Sequence, residues 1–264
     1  VAKIGSETSD TAGMSAIRKA TRVLHRLAAS GELTAGELAD ALEEPVTTVY
    51  RMLTNLEGIG WIERGSRKGS PVRLGVELIA LGQSVEDALD PRLLSRAALV
   101  RLNEATSETA YLCVPSGQRA TCIERVDGIY TRTAELPIGG SLPLHQGAGP
   151  RAILAFTSQL FRDRYTATMR ASQLNPMTES EALRLDAELA SIRASGLASS
   201  DGDVTPGVYS VAAPVMNHRG EVIASITLSA LKSRTDTRML AFDDLVRDEA
   251  RRVSTDLGFR HADS

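Results

Sequence analysis

The order of apolar and polar positions divides the chain into a helical first part and a mixed second part. Over 15–30, Ile17, Ala20, Val23, Leu24 and Leu27 recur at three- and four-residue steps, the period of a helix with one buried face. Gly31 ends it. Thr34-Ala35-Gly36-Glu37 then has the spacing of a capping box, and a second helix buries Leu38, Ala39 and Leu42 before stopping near Glu43-Glu44. Pro45 suits the opening of a third helix, where its missing N–H costs nothing. That helix turns Val49, Met52, Leu53 and Leu56 inward, with Val46 flanking that face, and leaves Thr47, Thr48, Tyr50, Arg51 and Asn55 on or near its outer side. Gly58-Ile59-Gly60 breaks it. Trp61–Arg64 and Pro71–Leu74 read as strands around the basic tip Gly65-Ser66-Arg67-Lys68-Gly69. Three helices and a basic hairpin predict a winged helix-turn-helix over 15–75, preceded by a flexible stretch, 1–14.

Residues 76–107 keep a helical pattern through Leu78, Ile79, Val85, Leu89, Leu93, Leu94, Ala97, Ala98 and Leu102, broken at Asp90-Pro91. Bundle core and dimerisation are both consistent with so apolar a linker. From Glu108 the period changes to two. Thr109–Val114, Ala120–Val126, Tyr130–Leu136, Gly207–Met216 and Glu221–Ala230 alternate as strands. Helices are expected at Gly149–Thr157, Leu160–Met169, Thr178–Ser195 and roughly Thr237–Leu257. The fold class is therefore α+β, with antiparallel strands and segregated helices in the domain 108–264.

Composition adds exclusions. Hydrophobic residues make up 42% and charged residues 24% of 264, as in a globular protein with real cores. No apolar run reaches the length of a membrane span, and 1–11 lacks a signal peptide's apolar stretch, so a cytoplasmic protein without membrane attachment is expected. The two cysteines, Cys113 and Cys122, would sit opposite each other across a Gly117-Gln118 turn, as packed thiols in a reducing compartment. Four scattered histidines give no metal-ligand spacing. Net charge is −3 overall but +1 over 1–75, which by itself argues little for nucleic acid. In a winged helix the third helix enters the major groove and the wing follows the backbone. The candidate DNA contacts are Thr34, Val46, Thr47, Thr48, Tyr50, Arg51 and Asn55, with Arg64, Arg67 and Lys68 near the wing tip. A protein-interaction winged helix uses the same elements.

Leu42-Glu43-Glu44-Pro45-Val46-Thr47-Thr48-Val49-Tyr50-Arg51-Met52-Leu53 resembles the recognition-helix segment of IclR-type transcriptional regulators, and Leu56–Ile62 their exit into the wing. Many members carry lysine or arginine where Val46 stands, so one phosphate contact is missing. The resemblance continues through Leu142–His145, Arg151–Ala155, Ile192–Ser199, Gly207–Val215 and Val222–Ser229, covering nearly the whole chain from Ser15 in order. It implies a GAF-like effector domain and places a ligand cavity at Ala148, Gly149, Ser200, Val208, Ser210, Thr227 and Ser229. Some members have cysteine at Ser210, and glutamate is common at Asp203.

Gly147-Ala148-Gly149-Pro150-Arg151-Ala152 spells a dinucleotide phosphate loop, but it lacks the preceding buried strand, so no cofactor is expected. The start of a helix there still favours a small anion, and tight packing of small residues is the alternative. Asp201-Gly202-Asp203 reads as a solvated turn. No nucleophile elbow or catalytic triad occurs, and no catalytic residue is assigned. The sequence thus predicts a ligand-responsive regulator, with double-stranded DNA and a small organic acid as partners, acting as a homodimer or homotetramer. An enzyme on a small acid with an accessory winged helix is the alternative of another class.

Overall fold

The computed structural model describes residues 7–65, 67, 69–129, 136–234 and 239–260. Contacts cluster into two compact units, Val1–Ala88 and Leu89–Ser264. The connector expected at 76–107 divides between them.

In the first unit, helices α1 (Glu7–Ser30), α2 (Ala35–Leu42) and α3 (Val46–Gly58) pack around Val23, Leu27, Leu38, Leu42, Val49, Leu53 and Leu56. Thr34 caps α2 as its spacing predicts, accepting from the Glu37 N–H while its own N–H donates to the Glu37 carboxylate at 2.7 Å. Of the stretch expected to be flexible, residues 7–14 already belong to α1, because extending a formed helix costs far less than starting one. Ile17, assigned to the buried face, is 64% exposed. The wing pairs β1 (Ile62–Arg64) with β2 (Val72–Leu74) antiparallel. Leu33, in the turn between α1 and α2, adds a bridge to Val72, with N–H···O bonds of 3.1 and 2.8 Å in the two directions. Helix α4 (Glu77–Ala88) completes the unit.

The second unit is a six-stranded antiparallel sheet in the order β5-β4-β3-β8-β7-β6. Its strands are β3 (Thr109–Ser116), β4 (Arg119–Val126), β5 (Ser141–Pro143), β6 (Ala198–Asp201), β7 (Val208–Met216) and β8 (Val222–Leu231). One face carries Leu112, Val211, Ala213, Ile226 and Leu228 against α5 (Pro91–Thr106) and α9 (Met239–Asp256). Asp90 caps α5, whose Ala98, Leu99 and Leu102 are buried, so this half of the expected linker is core of the sheet domain. The other face is covered by α6 (Ala148–Phe156), with α7 (Gln159–Arg170) and α8 (Glu179–Ser195) outside it. The central strands follow the predicted alternation. Strands β5 and β6 were not anticipated, and the expected strand Tyr130–Leu136 lies, except for Leu136, outside the described residues. Cys113 and Cys122 are directly opposite, buried and free.

Candidate functional site

In the first unit, α3 presents an exposed outer face. With Val49, Met52, Leu53 and Leu56 turned into the core, α3 leaves Val46, Thr47, Tyr50, Arg51 and Asn55 exposed and Thr48 partly buried. Thr47, Arg51 and Asn55 stand at four-residue steps, which stacks them into one stripe along the helix. Such a stripe presents a hydroxyl, a guanidinium and an amide, the groups that pair with phosphates and base edges. The wing behaves unequally. Arg64 is not at the tip but turned back onto α3, where it forms an ion pair with Glu57, Nε to carboxylate 2.9 Å, and Thr54 Oγ1 accepts from Nη2 at 3.3 Å. Arg67 is exposed at the tip, and Lys68 lies outside the described residues. The Thr34 hydroxyl is occupied by its capping box.

The second unit encloses a small cavity between the sheet and the start of α6. It is about 30 Å³, room for about two waters. Of the predicted residues, Ala148, Ser200, Val208, Ser210 and Ser229 line it; Gly149 and Thr227 do not. They form the contact that seats the helix: a Cβ on Gly149 would stand 2.6 Å from Thr227 Oγ1 and 3.2 Å from Ser225 Oγ. Only glycine lets the helix approach so near. Both of those hydroxyl oxygens are buried with no hydrogen-bond partner among the described residues. The lining also includes Tyr111, Arg125, Leu136, Leu142, Gly147, Val204 and Thr205, which sequence reasoning missed. Tyr111 was within reach of strand alternation, two residues before Cys113.

Three hydroxyls meet on the sheet: Ser210 and Ser229 oxygens lie 2.6 Å apart, and Ser229 Oγ is 3.4 Å from the Tyr111 hydroxyl. Burial pushes the Tyr111 phenol up, so it stays a neutral donor. Asp203 is exposed in the turn Asp201-Gly202-Asp203 and ties that turn to the start of α6. Its carboxylate accepts from Gly147 N–H at 3.1 Å, from Arg151 Nη1 at 2.9 Å and from the Ser200 hydroxyl. Burial alone would raise its pKa, but these hydrogen bonds and the Arg151 charge hold it below its ordinary value. Arg151 also meets Glu188 at 2.9 Å on the far side, where a wider cleft of about 790 Å³ is lined by His145, Met169, Arg184 and Glu188 among others. Burial raises the Glu188 pKa, against the pull of Arg151. Among the described residues no cluster of His, Cys, Asp and Glu could hold a metal, and no helix is long and apolar enough to cross a membrane.

Known proteins match both units. Residues 16–66 match the IclR helix-turn-helix domain, and residues 84–255 match the bacterial transcriptional regulator IclR C-terminal family. The HTH-type transcriptional regulator BhcR of Paracoccus denitrificans is 31% identical over 257 residues, covering 95% of this chain and 90% of that protein. KipR of Bacillus subtilis, also an HTH-type transcriptional regulator, is 27% identical over 228 residues, covering 86% and 90%. The crystal structure of the Agobacterium tumefaciens repressor BlcR superposes with a TM-score of 0.74 over 94% of this chain and 98% of that one, at 24% identity, a likeness of fold. The relatives are regulators and not enzymes, and a DNA-binding helix-turn-helix joined to an α/β domain with a curled antiparallel sheet is their shared plan. The chain belongs to the IclR family of transcriptional regulators.

Proposed function

We propose that this regulator senses a small organic acid in the cavity beneath α6 and adjusts operator binding accordingly. The observation that carries the reading is the cavity itself: buried hydroxyls of Tyr111, Ser210 and Ser229 face the uncapped start of a helix. Those hydroxyls pair with one another, but Thr205 Oγ1 in the same lining is buried with no partner among the described residues, a cost that a ligand could relieve, and free N–H groups at a helix start favour an anion. A space of about 30 Å³ is smaller than any organic acid, so binding must widen it. A ligand that prefers the widened form shifts the population toward it, and that differential affinity is what regulation requires.

Operator contact falls to Thr47, Thr48, Tyr50, Arg51 and Asn55 on α3, with Val46 at its start and Arg67 and Lys68 on the wing. Thr34 and Arg64 support these elements, by cap and by ion pair. Two half-sites are read by a pair of copies. Val76, Ile79, Leu81 and Val85, on and just before α4, are each more than half exposed, apolar surface suited to a second copy of this chain in a dimer or tetramer.

Retention on operator DNA in a salt gradient tests the contacts. Arg51→Ala is expected to cost roughly 1–3 kcal/mol, and Arg67→Ala to weaken binding evenly and lower the salt slope by about 1. Unchanged retention in both variants would remove α3 and the wing as the reading surface. Thermal-shift screening of short acids on the intact protein tests the sensor, which stands only if some acid stabilises it.

A further inference from the structure

Strand β6 stops short of its neighbour. Its first residue, Ala198, pairs with Ala212, and β7 runs on from Ala213 to Met216 with no strand on that side among the described residues. The end of α8, the later turns of α9 and Phe259 gather around this edge and form a cleft of about 290 Å³. It shares no residue with the cavity beneath α6. Another strand gains little here. Pro214 has no N–H to donate, and the Met216 N–H already donates to Ser254 Oγ at 3.0 Å. The edge is open to a compact molecule instead.

The lining is one-sided in charge. Its ionisable side chains are Arg193 from α8 with Arg247 and Arg251 from α9, and no carboxylate stands among them. Arg247 and Arg251 are four residues apart, so they share one side of the helix and repel each other. Arg247 is paired with Asp244 at 2.7 Å. Arg193 donates to the Ala155 carbonyl at 3.4 Å, and its charge adds to burial in lowering the pKa of Arg162. The Arg251 side chain makes no hydrogen bond or ion pair among the described residues. Arg193 and Arg251 are both exposed, and neither meets a carboxylate among the described residues. Beside them, Phe156 and Phe259 supply half-buried apolar surface.

We propose that this cleft binds a phosphate monoester with a flat apolar body, its phosphate held by Arg193 and Arg251 and its body set against Phe156 and Phe259. A monoester phosphate carries close to two negative charges at neutral pH, matching two guanidiniums that lack a carboxylate. A single carboxylate or a sulfate ester brings one. The arginine fork also fits phosphate oxygens in pairs. A space of about 290 Å³ stands at the lower end of small-molecule sites, enough for one ring and its head group. The site has a structural consequence. Helix α8 packs on the α6 side of the sheet and α9 on the other, so a molecule bridging Arg193 and Arg251 ties the two layers together.

The test is calorimetric titration of the intact protein with phenyl phosphate, run beside phenyl sulfate and inorganic phosphate. Phenyl phosphate binds. Phenyl sulfate, of the same shape with one charge, and inorganic phosphate, without the ring, bind more weakly. Combining Arg193→Gln with Arg251→Gln weakens phenyl phosphate about tenfold or more. Each single variant shows a smaller loss and still reads the effect if the double variant misfolds. Phenyl phosphate binding that is absent, no tighter than that of phenyl sulfate, or unchanged in these variants overturns the proposal. None of these outcomes bears on acid binding beneath α6.

Discussion

Strand β8 is buried on both sides of its alternation, yet its two sides differ in chemistry. Toward α5 and α9 it presents Ala224, Ile226, Leu228 and Ala230; toward α6 it presents Ser225, Thr227 and Ser229. All seven are at most 3% exposed. On a surface strand such alternation would separate core from water. Here both faces are dry, so the hydroxyl row has another use than solvation. Strand β7 repeats the difference, with Val211 and Ala213 on the apolar side and Ser210 facing the cavity. One face holds the domain together, and the other gives up packing to keep polar atoms available.

The comparison can be broken from either side. Ile226→Ala on the apolar face should be the most damaging change, at about 2–5 kcal/mol by chemical denaturation, because it deletes buried methyl groups and leaves a void. If the loss were under 1 kcal/mol, that face would not be the stabilising one. Gly149→Ala on the hydroxyl face should cost about 1–3 kcal/mol by overpacking, since its Cβ meets Thr227 Oγ1. Adding Thr227→Ala removes the colliding oxygen, so the double variant should recover part of that loss; no recovery would place the strain elsewhere. Asp203 gives the smallest effect. Its folded pKa is depressed below the ordinary 3.8, so its stabilisation is full above that value and is lost as pH falls through the folded one. The melting temperature of the wild type should therefore fall more steeply below about pH 4 than that of Asp203→Asn. Parallel curves would mean that the loop is not tied by this carboxylate.

Much of this was legible before any coordinates. The capping boxes Thr34–Glu37 and Thr178–Glu181 form as spelled, and the alternation of β7 and β8 appears in register. What escaped the sequence depends on partners distant along the chain. Ala198-Ser199-Ser200-Asp201 has no apolar alternation of its own and becomes a strand by pairing with β7. Ser141-Leu142-Pro143 holds an edge, where proline is tolerated. Arg64 belongs by position to the wing, but Glu57 and Thr54 on α3 decide where it points. In the cavity, the family resemblance finds Ser210 and Ser229 and misses Arg125, whose place depends on one unpaired residue of β4, Ile123, that changes the parity of the strand. Gly149 and Thr227, expected in the cavity lining, meet instead as a packing contact beside it.

The bridge between Leu33 and Val72 bears on motion. The two residues exchange hydrogen bonds in both directions, joining the turn before α2 to the return strand of the wing. The wing therefore cannot swing freely like a hairpin on a hinge. Lifting it breaks the two backbone hydrogen bonds to the turn before α2 as well, so both segments open as one cooperative unit with a shared free energy. Within one copy, the distance between recognition helix and wing is then fixed by the fold, like the gap of a locked caliper.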